Sequence, residues 1–591
     1  MSDHLDPNKR DFSANARLPG ICALAAVIGV LGTIAAIVLL KLIYLFTNVF
    51  FFGTLSFANH SPADNKLGVW VVLIPALGGL IVGLIARFGS DKIRGHGIPE
   101  AIEAILFGKS RMSPKVAILK PLSSGIVIGS GGPFGAEGPI IMTGGALGSL
   151  LAQCVKVTAA ERKTLLVAGA AAGMTAVFGT PVAAVLLAVE LLLFEWRPRS
   201  FLPVALACAV AGFMRAQWFG VGPLFPLETA PPGTISLLSC MILGVASGAL
   251  ASGLSIALYT TEDLFAKLPV HWMWWPAIGG LAIGLGGLIE PRVLGVGYDV
   301  IGDLLHQQLA VKVAVAILVV KAIIWVIALG SGTSGGVLAP LLMLGAGLGI
   351  VMGPILPGHE AGLWPLVAMA ATLGATLGAP LTAIVFAFGL THDANALLPL
   401  LTATLVAHGF TTVVMRRSIM TEKIARRGYH IYREYGVDPL ERHHVDEVMT
   451  RSVRTIDAAV TVGEALASFF GPSQTHRAYP VVRAERLVGV ADRDTLVALA
   501  TEQGSEMALG DALAAKSVTV ALASETCRLV AARLAVHGLE RVPVVADGDS
   551  MKLEGIVSRS DLVKPSRMHF EEEQKKERFR RVGWRSAKRR S

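Results

Sequence analysis

Long stretches of this chain contain no Asp, Glu, Lys or Arg, among them Leu18–Leu40, Thr164–Val189, Thr229–Thr261, Ala322–His359, Ala361–His392 and Ala394–Met415. Each reaches or exceeds the roughly 20 residues with which a helix crosses a bilayer. In hydrocarbon every backbone N–H and C=O must be paired inside the segment, which leaves helices or closed barrels, and runs of this length fit helices. The expected fold is therefore an all-α polytopic membrane domain. Composition agrees: of 591 residues only 16% are charged and 53% are hydrophobic, against about 25% charged in soluble domains. A cytosolic enzyme and a disordered chain are both excluded, and no enzymatic activity is expected.

The apolar texture runs from Leu18 to Met415 and stops at Arg416 and Arg417. From His443 to about Val563 the chain reads as a soluble α/β domain. The expected parts are a cytoplasmic segment 1–17, a membrane domain 18–428, a linker 429–442, two small repeats at 443–502 and 503–564, and a basic tail 565–591. Lys9, Arg10 and Arg17 precede the membrane part, while Arg416, Arg417, Lys423, Arg426 and Arg427 follow it. Both ends are thus expected to be cytoplasmic, with the protein integral to a cell inner membrane. The basic segment from Arg87 to Lys120 should face the same side. Net charge is +9, but Pro565–Ser591 holds ten Lys/Arg and four Asp/Glu, so most of the excess lies in the tail. Such a tail fits anionic headgroups, and no nucleic-acid partner is expected. Cys22, Cys154, Cys208, Cys240 and Cys527 have no metal spacing and read as packing residues. Met1–Arg17 is polar and the run after it is too long for a signal-peptide core, so no cleavable signal is expected.

Internal repetition is the next constraint. Gly95-His-Gly97 recurs as Gly295-Val-Gly297. Gly129-Ser-Gly-Gly-Pro-Phe-Gly-Ala-Glu-Gly-Pro139 recurs as Gly330-Ser-Gly-Thr-Ser-Gly-Gly-Val-Leu-Ala-Pro340, and Gly179-Thr-Pro181 as Gly378-Ala-Pro380. Three pairs in the same order at offsets of about 200 make the membrane domain two homologous halves, about 18–200 and 230–428. Membrane proteins built from repeats place ion sites at the repeat interface, where helices break near the midplane.

Glycine in a helix costs about 1 kcal/mol relative to alanine, so these glycines need a reason. In each main motif a proline (Pro99, Pro139 or Pro340) follows and opens a new apolar stretch, the position where its missing N–H is harmless. The motifs therefore read as helices that begin inside the membrane and point free N–H groups at an anion. The alternative, helix-packing glycine, fits Gly144, Gly145, Gly148, Gly345, Gly347, Gly349 and Gly353. No βαβ unit surrounds the glycines, so a dinucleotide fingerprint is excluded. Glu137 is the only Asp, Glu, Lys or Arg between Lys120 and Lys156. A lone carboxylate in a membrane is functional by default, and at a helix start it can occupy an anion site as a tethered competitor that leaves when protonated. The plainer reading is a helix cap. Glu190 is a second membrane carboxylate, near Glu195 and Arg197, and reads equally as an interface charge or as part of a proton pathway.

Gly95-His-Gly-Ile-Pro99, Gly135-Ala-Glu-Gly-Pro139 and Gly336-Val-Leu-Ala-Pro340 together resemble the three anion-binding signatures of the CLC family of chloride channels and proton-coupled chloride transporters. The resemblance implies a homodimer with one pore per subunit, inverted repeats and broken helices. It implies that Glu137 gates and that Val337 and Leu338 offer amides to a central chloride. The remaining anion-site positions implied are Gly95, His96, Gly97, Ile98, Gly135, Ala136, Gly138, Ala339 and Met420. His96 stands where the family has serine, Ala136 where it has a basic residue, and Met420, by register, where it has a tyrosine. Our own reading is that the His96 imidazole replaces the serine hydroxyl as a donor to the anion. Coupled family members carry a proton-transfer glutamate one residue after Glu190, and that place holds Leu191.

The C-terminal repeats, Val445–Leu496 and Leu509–Leu562, resemble a cytoplasmic α/β tandem CBS pair. That resemblance implies ATP, ADP or AMP at a site where Ser558 and Asp561 hold the ribose; Asp492 and Thr495 take those places in the first repeat. No cofactor or metal is otherwise expected. The expected function is passive, Glu137-gated chloride conduction, with proton-coupled exchange of chloride, fluoride or nitrate as the alternative. A CBS-containing divalent-cation transporter would need more membrane carboxylates than this chain has, and an intramembrane metalloprotease would need an HExxH helix that is absent.

Overall fold

In the computed structural model, the described residues are 17–358, 362–415, 417–427, 439–471, 474, 476–514 and 518–564. The 1–16 segment, the basic tail 565–591 and the linker as far as residue 438 lie outside them. The described residues form two units, 17–427 and 439–564.

The membrane unit is helical. Its first half contains α1 (Leu18–Thr47), α2 (Leu73–Phe88), α3 (Ile98–Leu106), α4 (Pro114–Gly129), α5 (Glu137–Gln153), α6 (Ala159–Phe178), α7 (Pro181–Leu187) and α8 (Pro198–Phe219). The second contains α9 (Thr234–Ala266), α10 (Trp275–Ile289), α11 (Tyr298–Leu305), α12 (Val311–Gly330), α13 (Leu338–Met352), α14 (Leu363–Leu377), α15 (Pro380–Thr391) and α16 (Leu397–Val414), followed by α17 (Ile419–Arg426). Among the described residues eight helices are long and apolar enough to cross a membrane. The charge-free runs are not single spans throughout. Thr164–Val189 breaks at Gly179 into α6 and α7, Ala322–His359 breaks after Gly330 into α12 and α13, and 361–392 breaks at Gly378 into α14 and α15. The reason is local: Gly179 and Gly378 adopt φ of +73° and +68°, a left-handed turn that ends a helix, and the proline two residues on starts the next one.

The two halves pack on each other reciprocally. A Cβ on Gly79 would fall 2.2 Å from the Pro276 carbonyl oxygen, and one on Gly280 would fall 2.3 Å from that of Pro75. The pairs Gly78 with Ser130 and Gly279 with Ser331 repeat the same contact within each half. Such exchanged contacts at one constant offset are what a two-fold relation between repeats produces, with small residues letting backbones meet where apolar burial gives no driving force.

The second unit contains α18 (Pro439–Arg442), α19 (Val445–Val448), β1 (Ile456–Asp457), α20 (Val462–Phe469), β2 (Ala478–Arg483), β3 (Arg486–Asp492), α21 (Arg493–Gln503), α22 (Leu509–Leu513), β4 (Ala521–Leu522), α23 (Cys527–Val536), β5 (Arg541–Val545), β6 (Leu553–Ser558) and α24 (Arg559–Leu562). Each repeat forms one sheet, β1-β2-β3 or β4-β5-β6, with the first pair parallel and the second antiparallel. Each leading helix packs on the other repeat. Val445, Val448 and Met449 join the core of Val530, Val542 and Val557, whereas Leu509, Ala512 and Leu513 join that of Ile456, Tyr479 and Val481. The cores are therefore interlocked, and neither repeat buries its own sheet alone.

Candidate functional site

Three glycine-rich loops meet between the halves. Gly97, at φ +94°, ends the first and opens α3, with Ile98 and Pro99 buried behind it. The Gly97 N–H donates to the Glu100 carboxylate at 2.8 Å, and the other Glu100 oxygen pairs with Lys423 Nζ at 2.8 Å. This loop touches the second one directly, since a Cβ on Gly138 would lie 1.9 Å from the His96 carbonyl oxygen. The second and third loops are joined by an antiparallel bridge, Gly135 N–H to Gly336 C=O at 3.2 Å and Gly336 N–H to Gly135 C=O at 3.0 Å. The structure thus brings together Gly95, His96, Gly97, Ile98, Gly135, Ala136, Gly138, Val337, Leu338 and Ala339. Ala136, Val337, Leu338 and Ala339 are all buried.

Glu137, fully buried, is the first residue of α5. The Tyr298 hydroxyl donates to its Oε1 at 3.1 Å. The carboxylate also faces its own amide and that of Ala339, in the first turn of α13. A carboxyl group thus rests at the free N–H end of a broken helix, where the aligned peptide dipoles favour its ionised form. Its Oε2 is buried without a hydrogen-bond partner. His96 is 3% exposed and its Nδ1 is likewise buried and unpartnered. Met420 is buried on α17, which packs against α3.

Two cavities flank the loops. One, of about 660 Å³, is lined by Arg94, Gly95, Glu100, Glu103, Lys423 and Arg427. The other, of about 240 Å³, is lined by Tyr44, His60, Gly295, Gly297, Tyr298 and Asp299. The repeat partners Gly95 and Gly295 therefore open onto separate cavities, and each loop is tied down by a buried lysine. Lys120 Nζ donates to the Ile93 and Gly95 carbonyls, both at 2.8 Å. Lys321 Nζ donates to Val293 and Gly295 at 2.8 and 3.0 Å. Lys120, grouped by sequence with surface cations, is fully buried instead. Its signal was present: both lysines sit within apolar helices at the repeat offset.

Glu190 lies in a π-helical turn, Ala188–Leu193, that continues α7. It is 8% exposed. It accepts from the Thr382 N–H at 2.8 Å, the Thr382 hydroxyl at 2.6 Å and the Leu381 N–H at 3.3 Å, and so caps α15 from across the molecule. Leu191 is fully buried. In the second unit, Ser558 ends β6 and caps α24; its hydroxyl donates to Asp561 Oδ2 at 2.6 Å and accepts from the Asp561 N–H. Burial acts to raise the Asp561 carboxyl, but bonds from Lys564 and Ser558 hold it below the usual carboxylate range. Asp492 and Thr495 form the mirrored arrangement at the end of β3, with both Thr495 donors on the Asp492 carboxylate at 2.8 Å. Among the described residues no cluster of His, Cys, Asp and Glu is placed to hold a metal.

The family model described as voltage gated chloride channel matches residues 77–412, more than half of the chain. The protein belongs to that family, the CLC family. CBS domain models match residues 445–501 and 510–566. A protein of Ralstonia nicotianae that carries the name ClcB-like chloride channel protein is 28% identical over 366 residues, covering 60% of this chain and 85% of the relative. The H(+)/Cl(-) exchange transporter ClcA of Salmonella paratyphi B is 29% identical over 392 residues, covering 62% of this chain and 81% of the relative. The crystal structure of a slow cyanobacterial Cl-/H+ antiporter aligns with a TM-score of 0.61 at 22% identity, over 70% of this chain and 99% of that one. That of a eukaryotic CLC transporter gives 0.58 at 18% identity, over 92% and 98%. These likenesses carry the fold: a helical membrane domain with inverted repeats and broken helices, plus an α/β CBS pair. As a CLC protein the chain is an integral membrane protein of anion transport.

Proposed function

We propose that this CLC protein, as a homodimer with both termini in the cytoplasm of a cell whose inner membrane it spans, exchanges chloride for protons, with Glu137 as gate and proton carrier. One observation carries the reading: a buried carboxylate lies at the amide end of α13, where a free anion would bind. Ionised, Glu137 fills that place; protonated, it loses its attraction to the helix end and yields to chloride. The amides of Val337 and Leu338 then face the central ion. Gly95, His96, Gly97 and Ile98 form its approach from the 660 Å³ cavity, with the His96 imidazole as donor and Met420 as an apolar wall. Relatives named as H(+)/Cl(-) exchange transporters move the balance from passive conduction to exchange.

Passive conduction is the second reading. Leu191 favours it, because the place of the usual proton-transfer glutamate is apolar and Glu190 is committed to capping α15. Under exchange, protons reach Glu137 from the His96 side through water. Proteoliposomes with a chloride gradient decide between the two. Exchange predicts uphill proton movement that Glu137→Gln abolishes; chloride flux without proton movement establishes the passive reading. In the CBS pair the same proposal places an adenine nucleotide against Ser558 and Asp561. Titration calorimetry with ATP and AMP, repeated on Asp561→Ala, tests it.

A further inference from the structure

The positions from which the family offers side-chain hydroxyls to the anion hold His96 and Met420 in this chain, yet a hydroxyl does reach the centre of the site. It belongs to Tyr298, the first residue of α11, which follows Gly295-Val-Gly297 as Ile98 follows Gly95-His-Gly97. The repeat therefore carries Tyr298 to the site from the opposite cavity, where it lines the wall with Tyr44, His60 and Asp299. Its ring is held edge-on by Phe178, centroids 6.0 Å apart at 80°, and Phe178 is held by Phe386 in turn. Its hydroxyl faces the Ala136 amide and donates to Glu137 Oε1 at 3.1 Å. Among the described residues no other side chain hydrogen-bonds the Glu137 carboxylate, and Oε2 has no partner.

We infer that the Tyr298 hydroxyl is the latch that keeps Glu137 seated at the anion site. The inference rests on Glu137 being the gate. A neutral donor aimed at a buried carboxylate stabilises its seated, charged state more than its protonated one, so losing the hydroxyl loosens the gate and leaves the pore intact. The packing around the ring keeps the donor in place whether or not Glu137 is there. The latch hydrogen bond is of the charge-assisted kind, whose removal shifts an equilibrium by about ten-fold or more.

The test is chloride efflux from liposomes reconstituted with the full-length protein. Tyr298→Phe keeps the ring and removes one oxygen. Its flux is expected to rise about ten-fold at neutral pH, with a lower chloride concentration for half-maximal flux and a maximum no higher than that of Glu137→Ala. Adding Tyr298→Phe to Glu137→Ala is expected to change flux less than two-fold, because the carboxylate it acts through is gone. That double variant also reports folding, since a misfolded chain would not conduct. Flux of Tyr298→Phe at or below wild type, or an equal change in both backgrounds, overturns the latch. If Glu137→Ala itself leaves flux at the wild-type level, the gate reading fails and the latch falls with it.

Discussion

Gly138→Ala adds one methyl group at the point where all three loops meet. The new Cβ would lie 1.9 Å from the His96 carbonyl oxygen and 3.1 Å from the Gly336 Cα. Both are backbone atoms, so no rotamer change relieves the contact. The first loop must move by more than about 1 Å before the shorter distance reaches the 3.0 Å that real Cβ contacts respect. The Gly97 N–H, fixed by Glu100, would move with it. Overpacking of this kind costs about 1–3 kcal/mol; the part of it relieved only by moving the loop off the ion appears as lost binding, and since every 1.4 kcal/mol is a factor of ten, chloride affinity should fall by up to roughly 150-fold. Gly253→Ala is the control: it lies in α9 with nothing within 4 Å of its Cβ, and alanine there favours the helix by up to about 1 kcal/mol. Chloride binding by titration calorimetry and flux in liposomes should show the loss for Gly138→Ala alone. Wild-type affinity in a folded Gly138→Ala protein would refute the claim that these loops are held at backbone contact around the ion.

Three further outcomes follow from the same geometry. Lys120→Met and Lys321→Met each leave two buried carbonyls without a donor, at about 1–3 kcal/mol per acceptor and partly offset by no longer burying an ammonium; both variants should unfold at lower temperature in detergent, and unchanged melting would contradict the tie. Lys423→Met leaves the Glu100 carboxylate unpaired at the mouth of the 660 Å³ cavity and should lower chloride flux several-fold, with Lys423→Met/Glu100→Gln recovering most of it; no recovery would mean Lys423 acts otherwise. The Asp561 carboxyl is held below its ordinary value, so its contribution to the CBS pair is complete above about pH 4 and is lost as pH falls through the folded value. Asp561→Asn should flatten that part of the pH–stability curve followed by circular dichroism, and an unaltered curve would exclude Asp561 as its source.

Elements that depend on chain-local patterns are legible in the sequence itself. Charge-free runs announced the membrane domain, the three repeat pairs announced two halves, and the glycine-then-proline order announced helices opening at Pro99, Pro139 and Pro340, which in the structure begin one or two residues earlier, at Ile98, Glu137 and Leu338. What escaped were relations between distant residues. Tyr298 follows a glycine motif in the second half, and nothing near it in sequence says that its hydroxyl reaches Glu137, 161 residues away. Glu190 reads as a charge at a helix end until folding places α15 against it. Lys120 looks like one more cation in a basic segment, because burial of a long side chain with its own pair of carbonyls leaves no compositional trace. The CBS pair holds another such relation: Val445 of the first repeat joins the core of the second, and Leu509 of the second joins that of the first.

The repeat also explains why a nearly symmetric scaffold can gate. In the matched register Gly135 answers Gly336, Pro139 answers Pro340, and the two loops bond to each other across the centre. A fully symmetric pair would offer two equal helix ends and no preference between a filled and an empty site. The sequence breaks that equality where it matters, with Glu137 opposite Leu338 and Tyr298 opposite Ile98. One half contributes a tethered anion, and the other contributes the helix end that receives it and the hydroxyl that steadies it. Exchanging Glu137 and Leu338 would move the carboxylate to α13 and away from the Tyr298 hydroxyl. Glu137→Leu/Leu338→Glu should therefore conduct like Glu137→Ala in efflux assays; gating that survives the exchange would show that position in the fold, and not the pairing with Tyr298 and α13, makes the gate.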